Sequence, residues 1–572
     1  MNKSGYEFYL ASSLEKVFPD RRPLEMKNDS SLSCWRGGRA AVQLVYRMED
    51  ENTFIPLQEF DLEISGAPCR TDIRRVELIP SDFPCYGIRD EYYITDKPGL
   101  FPDLLKDVDR PVARPLRAQY RSLWLSWDIP NDVNPGEYRI QIKAKAVGKK
   151  VLPNGRTYEN EAAKGLEFVN SLILNVGRHK LPKQDLMHTE WMHLDSIADY
   201  YGTEIFDERH WELIEKFFCS AARHQVNMIL TPIFTPALDT ARGEERRTVQ
   251  LVDVFVDNGR YSFGFEKLER WIGLCRKYGM EYLEIAHFFT QWGATAAPKI
   301  VATVDGVQKR IFGWETCASG KEYSDFLHAL VPALQEELLK AGYGEDRVYY
   351  HISDEPAISQ LEEYKAARDV IKDLLPEDRI IDALSSLDFY KKGIITHPVP
   401  GTSEVDEFYE AGVKDLWVYY CCGQCRNVPN RFFAMESARN RIMGVLMYLY
   451  DIKGFLHWGF NYYYTQYSRE AVNPYEMTHA GYAFASGDAF LVYPGKDGKP
   501  LDSLRAEVQD EGLLDLRALK LLESLTDREY VEKIIYEGSP VKPMNFSSYP
   551  RSAQWLLDLR ERVAAEIEKR QD

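Results

Sequence analysis

The sharpest chemical signal in the chain is HISDEP, at 351–356, where Asp354 and Glu355 stand side by side ahead of Pro356. Two carboxyls held close push each other's pKa apart, so one keeps its proton near neutral pH while the other ionises. A general acid beside a charged stabiliser needs that arrangement. In a regular strand such neighbours point to opposite faces. Where a strand bends into a loop, both can reach one ligand. The competing reading is a helix start, because Asp before Glu-Pro is good capping chemistry.

Aromatic residues give the second signal. Trp191, Trp417, Tyr419 and Trp458 fall near the ends of strand-like runs. They offer a small ligand an apolar wall, or they are ordinary core. His193, Asp195, His287, His351 and Asn461 add polar groups near the same ends and join them as candidate substrate contacts. Asn227 lies at the start of the second run. No HExxH or similar spacing links these residues, so neither a metal nor any other cofactor is expected. YYCCGQC holds Cys421, Cys422 and Cys425, but a second pair at metal-binding spacing is missing. No GxSxG elbow is present, which leaves acyl transfer unsupported.

Positioning these groups requires strands that end at a common rim. Eight candidate strands run over 186–194, 226–233, 280–288, 347–353, 379–385, 393–398, 414–420 and 454–460. Amphipathic segments such as ERHWELIEKFFCSAARH, FEKLERWIGLCRKYG and KEYSDFLHALVPALQEELLKAG fall between them, with Gly279 and Gly342 as helix stops. Eight β-then-α units predict a (β/α)8 barrel over 179–495, with catalytic groups at the C-terminal strand ends. A doubly wound sheet would want a Gly-rich phosphate loop, and none stands in the right place.

Ahead of the barrel, 1–178 reads as an antiparallel β-sandwich. Runs such as AAVQLVYRM, RSLWLSWDIP and EYRIQIKAKA alternate with Pro/Gly turns, and RHKLPKQD at 178–185 reads as a linker. The last part, 496–572, reads as helices packed on the barrel.

The composition narrows the partners. The 572 residues carry 71 basic and 88 acidic side chains, a net charge of −17, which repels phosphate backbones and argues against nucleic acid. Nine scattered cysteines, no signal-peptide pattern and no long apolar stretch point to a cytoplasmic protein without a membrane partner. Self-association into a homo-oligomer stays open.

RVYYHISDEP, EWMHLDSIADYYGTEIFDERHWELIEKF and NMILTPIFTPALDT resemble the catalytic region of glycoside hydrolase family 123. DAFLVYPGKDGKPLDSLRAEVQDEGLLDLRALKLL is similar to the C-terminal signature of the same group. The resemblance implies a retaining exo-β-N-acetylgalactosaminidase that uses the sugar's own 2-acetamido group as nucleophile, an exception to the usual two-carboxylate scheme. Under it, Asp354 would orient the acetamido group, and Glu355 would serve as acid and then base. The aromatic residues would enclose the sugar. Two alternatives remain: a glycosidase of the same architecture with another sugar specificity and a separate nucleophile or base, for example Glu284, and an inactive carbohydrate-binding protein.

Overall fold

The computed structural model describes residues 5–49, 58–151, 156–159 and 163–570. The N-terminal part builds two five-stranded sheets. One orders its strands as Tyr6–Ser12, Arg39–Met48, Arg121–Asp128, Asp72–Ser81 and Gly99–Asp107. The other runs Ser30–Arg36, Glu167–Lys180, Gly136–Ala146, Phe60–Ser65 and Val112–Ala113.

Side-chain alternation explains the packing. In Arg121–Asp128, Leu123, Leu125 and Trp127 enter the core between the sheets, together with Phe60, Ile140 and Leu172. Trp124 points the other way, into the core shared with the second half of the chain. Both faces of that strand are therefore covered.

Two expectations need correction here. The sandwich is not wholly antiparallel, because Glu167–Lys180 pairs parallel with Ser30–Arg36. The same strand continues to Lys180, well into the stretch read as a linker. Its far end is held by the last helix, where Glu568 accepts from the Arg178 backbone N–H at 2.8 Å.

The second half contains a strand at each of the eight expected runs, each shorter than its run, with His397–Val399 reaching one residue past 393–398. Six form one parallel sheet in the order Val348–Tyr350, Tyr282–Ile285, Met228–Thr231, Met187–Glu190, Gly454–His457, Trp417–Tyr419. Ile381–Ala383 and His397–Val399 form a separate parallel pair. Single parallel bridges, Tyr350 to Ile380 and Gly401 to Tyr419, connect that pair to the two ends of the six-stranded sheet.

The helix signals read from sequence match local geometry. Asp207 accepts from the His210 N–H at 2.6 Å and opens Glu208–Arg223. Gly279, at φ 72°, closes Glu266–Tyr278. The segment RFFAMESARNRIMGVLMYLYDIKG before the last strand, whose apolar pattern reads as one helix, divides into Ser437–Arg441 and Met443–Leu449.

Helix Leu504–Leu525 packs on Met443–Leu449, and Gln509 Nε2 donates to Glu190 Oε1 on the first catalytic strand at 2.8 Å. Ala553–Glu568 packs on that helix and on the sandwich strands Ser30–Arg36 and Glu167–Lys180. Among the described residues no helix is long and apolar enough to cross a membrane.

Candidate active site

Strand Val348–Tyr350 ends early, and its continuation is held by side chains rather than by a ladder. Asp382, on the neighbouring strand, accepts from the Ile352 N–H at 3.0 Å and from Tyr364 Oη at 2.5 Å. Ser353 Oγ donates to the Thr290 carbonyl at 2.8 Å.

The chain then turns sharply. Glu355 sits at φ 43°, a left-handed conformation that is costly for a non-glycine residue, and more so before proline. Its N–H bonds the Ala383 carbonyl at 3.0 Å, and the Asp354 carbonyl accepts from the Trp292 N–H at 2.9 Å. This turn brings two adjacent carboxyls to one cavity, which a regular strand would prevent.

That cavity measures about 220 Å3, and its lining includes Trp191, Asp239, Trp292, Asp354, Glu355, Tyr419 and Trp458. It is smaller than the roughly 300–1,000 Å3 of drug-sized sites, as suits a single sugar ring. A larger cleft of about 650 Å3 lies where the sandwich meets the catalytic half. Its charges are largely engaged with one another, as in Arg74–Asp502, Arg223–Asp502 and Lys499–Asp107, so it offers few free groups for chemistry.

Asp354 is half-buried and Glu355 is open to the cavity, although both lie deep among protein atoms. Desolvation raises the Asp354 carboxyl well above the usual range. Glu355, Asp382 and Asp239 push the same way, while the positive charge of His351 opposes them. Glu355 is also raised by desolvation, against hydrogen bonds from Tyr419 and Cys421 that favour its ionised form. Tyr419 Oη donates to Glu355 Oε1 at 2.7 Å. The pair is thus able to keep a proton near neutral pH.

Of the other expected contacts, Trp191, Tyr419 and Trp458 line the cavity. The rest do not. Trp417 is 1% exposed and fills the interior among the strands, against Tyr349. Gly454 makes its place, since a Cβ there would lie 2.0 Å from the Trp417 ring.

His193, Asp195 and Asn461 sit behind the wall and hold it. Arg246 pairs with Asp195 at 2.7 Å, and its Nη2 reaches His193 Nδ1 at 3.1 Å. Burial and Arg246 push the His193 imidazole down to about 3, so it is neutral. With Nδ1 accepting, its proton sits on Nε2 and is donated to the Trp458 carbonyl at 2.9 Å. Asn461 Nδ2 donates to the His193 carbonyl at 3.1 Å.

His351 lies buried between Glu284 and Asp382, at 2.5 and 3.1 Å. Burial opposes its charge, but hydrogen bonds to Asp382 and Glu284 outweigh that and push it up to about 9. Glu284 also accepts from Trp191 Nε1 at 2.8 Å and Thr189 Oγ1 at 2.6 Å. Fully buried and satisfied on both oxygens, it is badly placed to be a separate base.

His287 stacks on His351 with centroids 4.2 Å apart and planes 19° from parallel. Nitrogen and oxygen atoms of His287, His351 and Asp382 lie within 4.8 Å of one another, close enough in distance to hold a cation. Imidazole lone pairs lie in the ring plane, however, and those of stacked rings run side by side rather than converging on one ion. Both His351 nitrogens are already engaged by carboxylates. The residues present therefore do not fit a metal well.

The sequence reading missed Asp239, Gln291, Trp292, Cys422, Gln466 and Phe484 as cavity residues. Asp239 takes hydrogen bonds from Tyr462 Oη and, at 2.9 Å, from the Tyr467 N–H. Asp488, fully buried, accepts from Trp458 Nε1 at 3.1 Å and fixes that ring. These residues lie on loops, where no periodic pattern marks them.

A pair of carboxyls with raised pKa at the C-terminal ends of parallel strands, beneath aromatic walls enclosing room for one ring, has the character of a glycoside hydrolase site. The family model "Glycoside hydrolase 123, catalytic domain" matches residues 191–522, more than half of the chain, and the chain belongs to glycoside hydrolase family 123. A family 123 glycoside hydrolase from Clostridium perfringens, studied for glycolipid glycan hydrolysis, superposes with a TM-score of 0.69 at 16% identity, over 99% of this chain and 97% of that one. A family 5 glycoside hydrolase from Bacteroides vulgatus shares 12% identity at a TM-score of 0.30, covering 66% of this chain and 71% of its own, too weak a likeness to bear on the fold. No curated protein matches in sequence.

Proposed function

We propose that the protein is a retaining exo-glycosidase that releases terminal β-linked N-acetylgalactosamine by substrate-assisted catalysis. The carrying observation is the turn that puts Asp354 and Glu355 on one cavity with Tyr419 bonded to Glu355.

In the empty site both carboxyls hold protons more tightly than free ones. A bound 2-acetamido N–H donates to Asp354 and favours its ionised form, which leaves the proton on Glu355. The acetamido carbonyl oxygen then attacks C1 as the bond from C1 to the leaving oxygen breaks. Glu355 gives its proton to that oxygen, and Asp354 stabilises the positive charge of the oxazolinium ion. Water next adds to C1, Glu355 takes its proton, and the acetamido group is restored. Glu284 is not needed as a nucleophile.

The reading includes a closed eight-stranded barrel, supported by the two single bridges that connect the outer strand pair to the six-stranded sheet. It also includes three units, a sandwich over 1–178, the barrel over 179–495 and a helical cover over 496–572.

The test compares aryl β-glycosides that differ only at C2. Cleavage of the 2-acetamido sugar with little turnover of the 2-hydroxyl sugar is expected. In Glu355→Gln, poor leaving groups should slow by about 10²–10⁴-fold and activated ones by less. Equal rates for the two C2 substituents would sink substrate assistance and favour a conventional two-carboxylate enzyme.

A further inference from the structure

The cavity has a closed bottom and an open mouth. Trp191, Ala383 and Leu456 are all 2% exposed or less, whereas Trp292 is 40% exposed while lining the same cavity. A large exposed aromatic ring brings little to folding, yet this one is held in an expensive conformation. Trp292 lies at φ 57°. Its N–H is tied to the Asp354 carbonyl, and its own carbonyl accepts from Gln360 Nε2 at 2.5 Å. The next residue is glycine, at φ 116°, a backbone conformation that L side chains rarely adopt. A non-glycine residue keeps such a conformation only where its surroundings over-determine it, and positions of this kind cluster at active sites and ligand clamps.

A loop that meets Trp292 from elsewhere in the chain repeats the pattern. Tyr467 and Ser468 lie at φ 64° and 57°. Asp239 anchors both, accepting from the Tyr467 N–H through its carboxylate and from Ser468 Oγ at 3.0 Å through its carbonyl. The Tyr467 ring meets Trp292 edge-on, with centroids 5.8 Å apart and planes at 81°. Two loops distant in sequence thus bring their rings together next to Gln466, which lines the cavity with Trp292.

We propose that Trp292, steadied by Tyr467, is the platform of a leaving-group subsite that takes a second pyranose ring. The inference rests on the glycosidase reading, with the terminal sugar at the closed end and Glu355 protonating the bond to the next residue. A terminal sugar in the bottom leaves its aglycone at the mouth, where the C–H face of a pyranose can lie on the indole. The edge-on tyrosine and the Gln466 amide make this rim amphipathic, which suits a sugar better than an alkyl chain.

The test measures kcat/KM of the wild type, Trp292→Ala and Trp292→Tyr on three β-N-acetylgalactosaminides. Their aglycones are methyl, octyl and a hexose. Trp292→Ala should lower kcat/KM for the disaccharide about tenfold, the size of one lost ring-stacking contact. The methyl and octyl glycosides should fall by clearly less than the disaccharide, and Trp292→Tyr should recover most of the disaccharide's loss.

An equal fall for the methyl glycoside would overturn the subsite, since it would mean that the residue merely supports Asp354. An equal fall for the octyl glycoside would overturn it in favour of an apolar-tail site, and no fall at all would also overturn it. If the wild type cleaves none of the three, the N-acetylgalactosaminidase reading fails and the subsite with it, an outcome distinct from failure in the variants alone.

Discussion

Removing the Tyr419 hydroxyl probes the proton inventory of the site without touching either carboxyl. Tyr419, itself buried, donates through Oη to Glu355 Oε1 at 2.7 Å at the edge of the cavity. A donor to a carboxylate stabilises the ionised form and holds its pKa down. Hydrogen bonds to charged groups contribute about 1.5–3 kcal/mol, and one pKa unit corresponds to about 1.4 kcal/mol, so the loss should raise the Glu355 pKa by about 1–2 units. Cys421 Sγ, 3.8 Å from the same oxygen, is too distant and too weak a donor to compensate.

If Glu355 is the acid, its protonated form is the active one. Tyr419→Phe should then carry the alkaline limb of kcat/KM to higher pH by about 1–2 units. The assay is a pH profile on a 2-acetamido glycoside with a poor leaving group, for which protonation matters most. An alkaline limb that stays in place or moves to lower pH would refute the assignment of Glu355 as proton donor.

Buried charged groups give two further expectations. Arg246→Met should destabilise the protein by about 3–5 kcal/mol in denaturant unfolding, because it strands the buried Asp195 carboxylate; adding Asp195→Asn should recover part of the loss. His351 and His224 are both pushed up to about 9, in each case by carboxylates that outweigh burial. Their folded pKa lies above the unfolded value near 6.5, so their contribution is fully present below pH 6.5 and is lost as pH rises through about 9. Urea unfolding across that window should show stability falling with pH, and His351→Gln should flatten the slope.

What the sequence makes legible follows from how local each cause is. The catalytic strands announce themselves as short apolar runs between amphipathic helices, and Asp354 and Glu355 are conspicuous because adjacent carboxyls close one of those runs. The left-handed turn at Glu355 leaves no such mark, because neighbouring loops impose it. Trp417 and Tyr419 look equivalent in LWVYY. They separate only because Gly454, on the adjacent strand, opens room for one ring in the interior while the other reaches Glu355. His193, Asp195 and Asn461 have the right chemistry in the right region, yet Arg246 and a backbone carbonyl engage them first. The parallel pairing of Ser30–Arg36 with Glu167–Lys180 joins segments far apart in the chain, so no turn signal specifies it.

Substrate assistance is tested most directly by changing the nucleophile itself. In a series of aryl β-N-acylgalactosaminides whose acyl methyl carries zero, one, two or three fluorines, each fluorine withdraws charge from the attacking carbonyl oxygen. The proposed mechanism requires kcat/KM to fall stepwise along the series, since that oxygen forms the bond to C1. Rates independent of fluorine content would show that the acetamido group does not attack, and would contradict the roles given to Asp354 and Glu355.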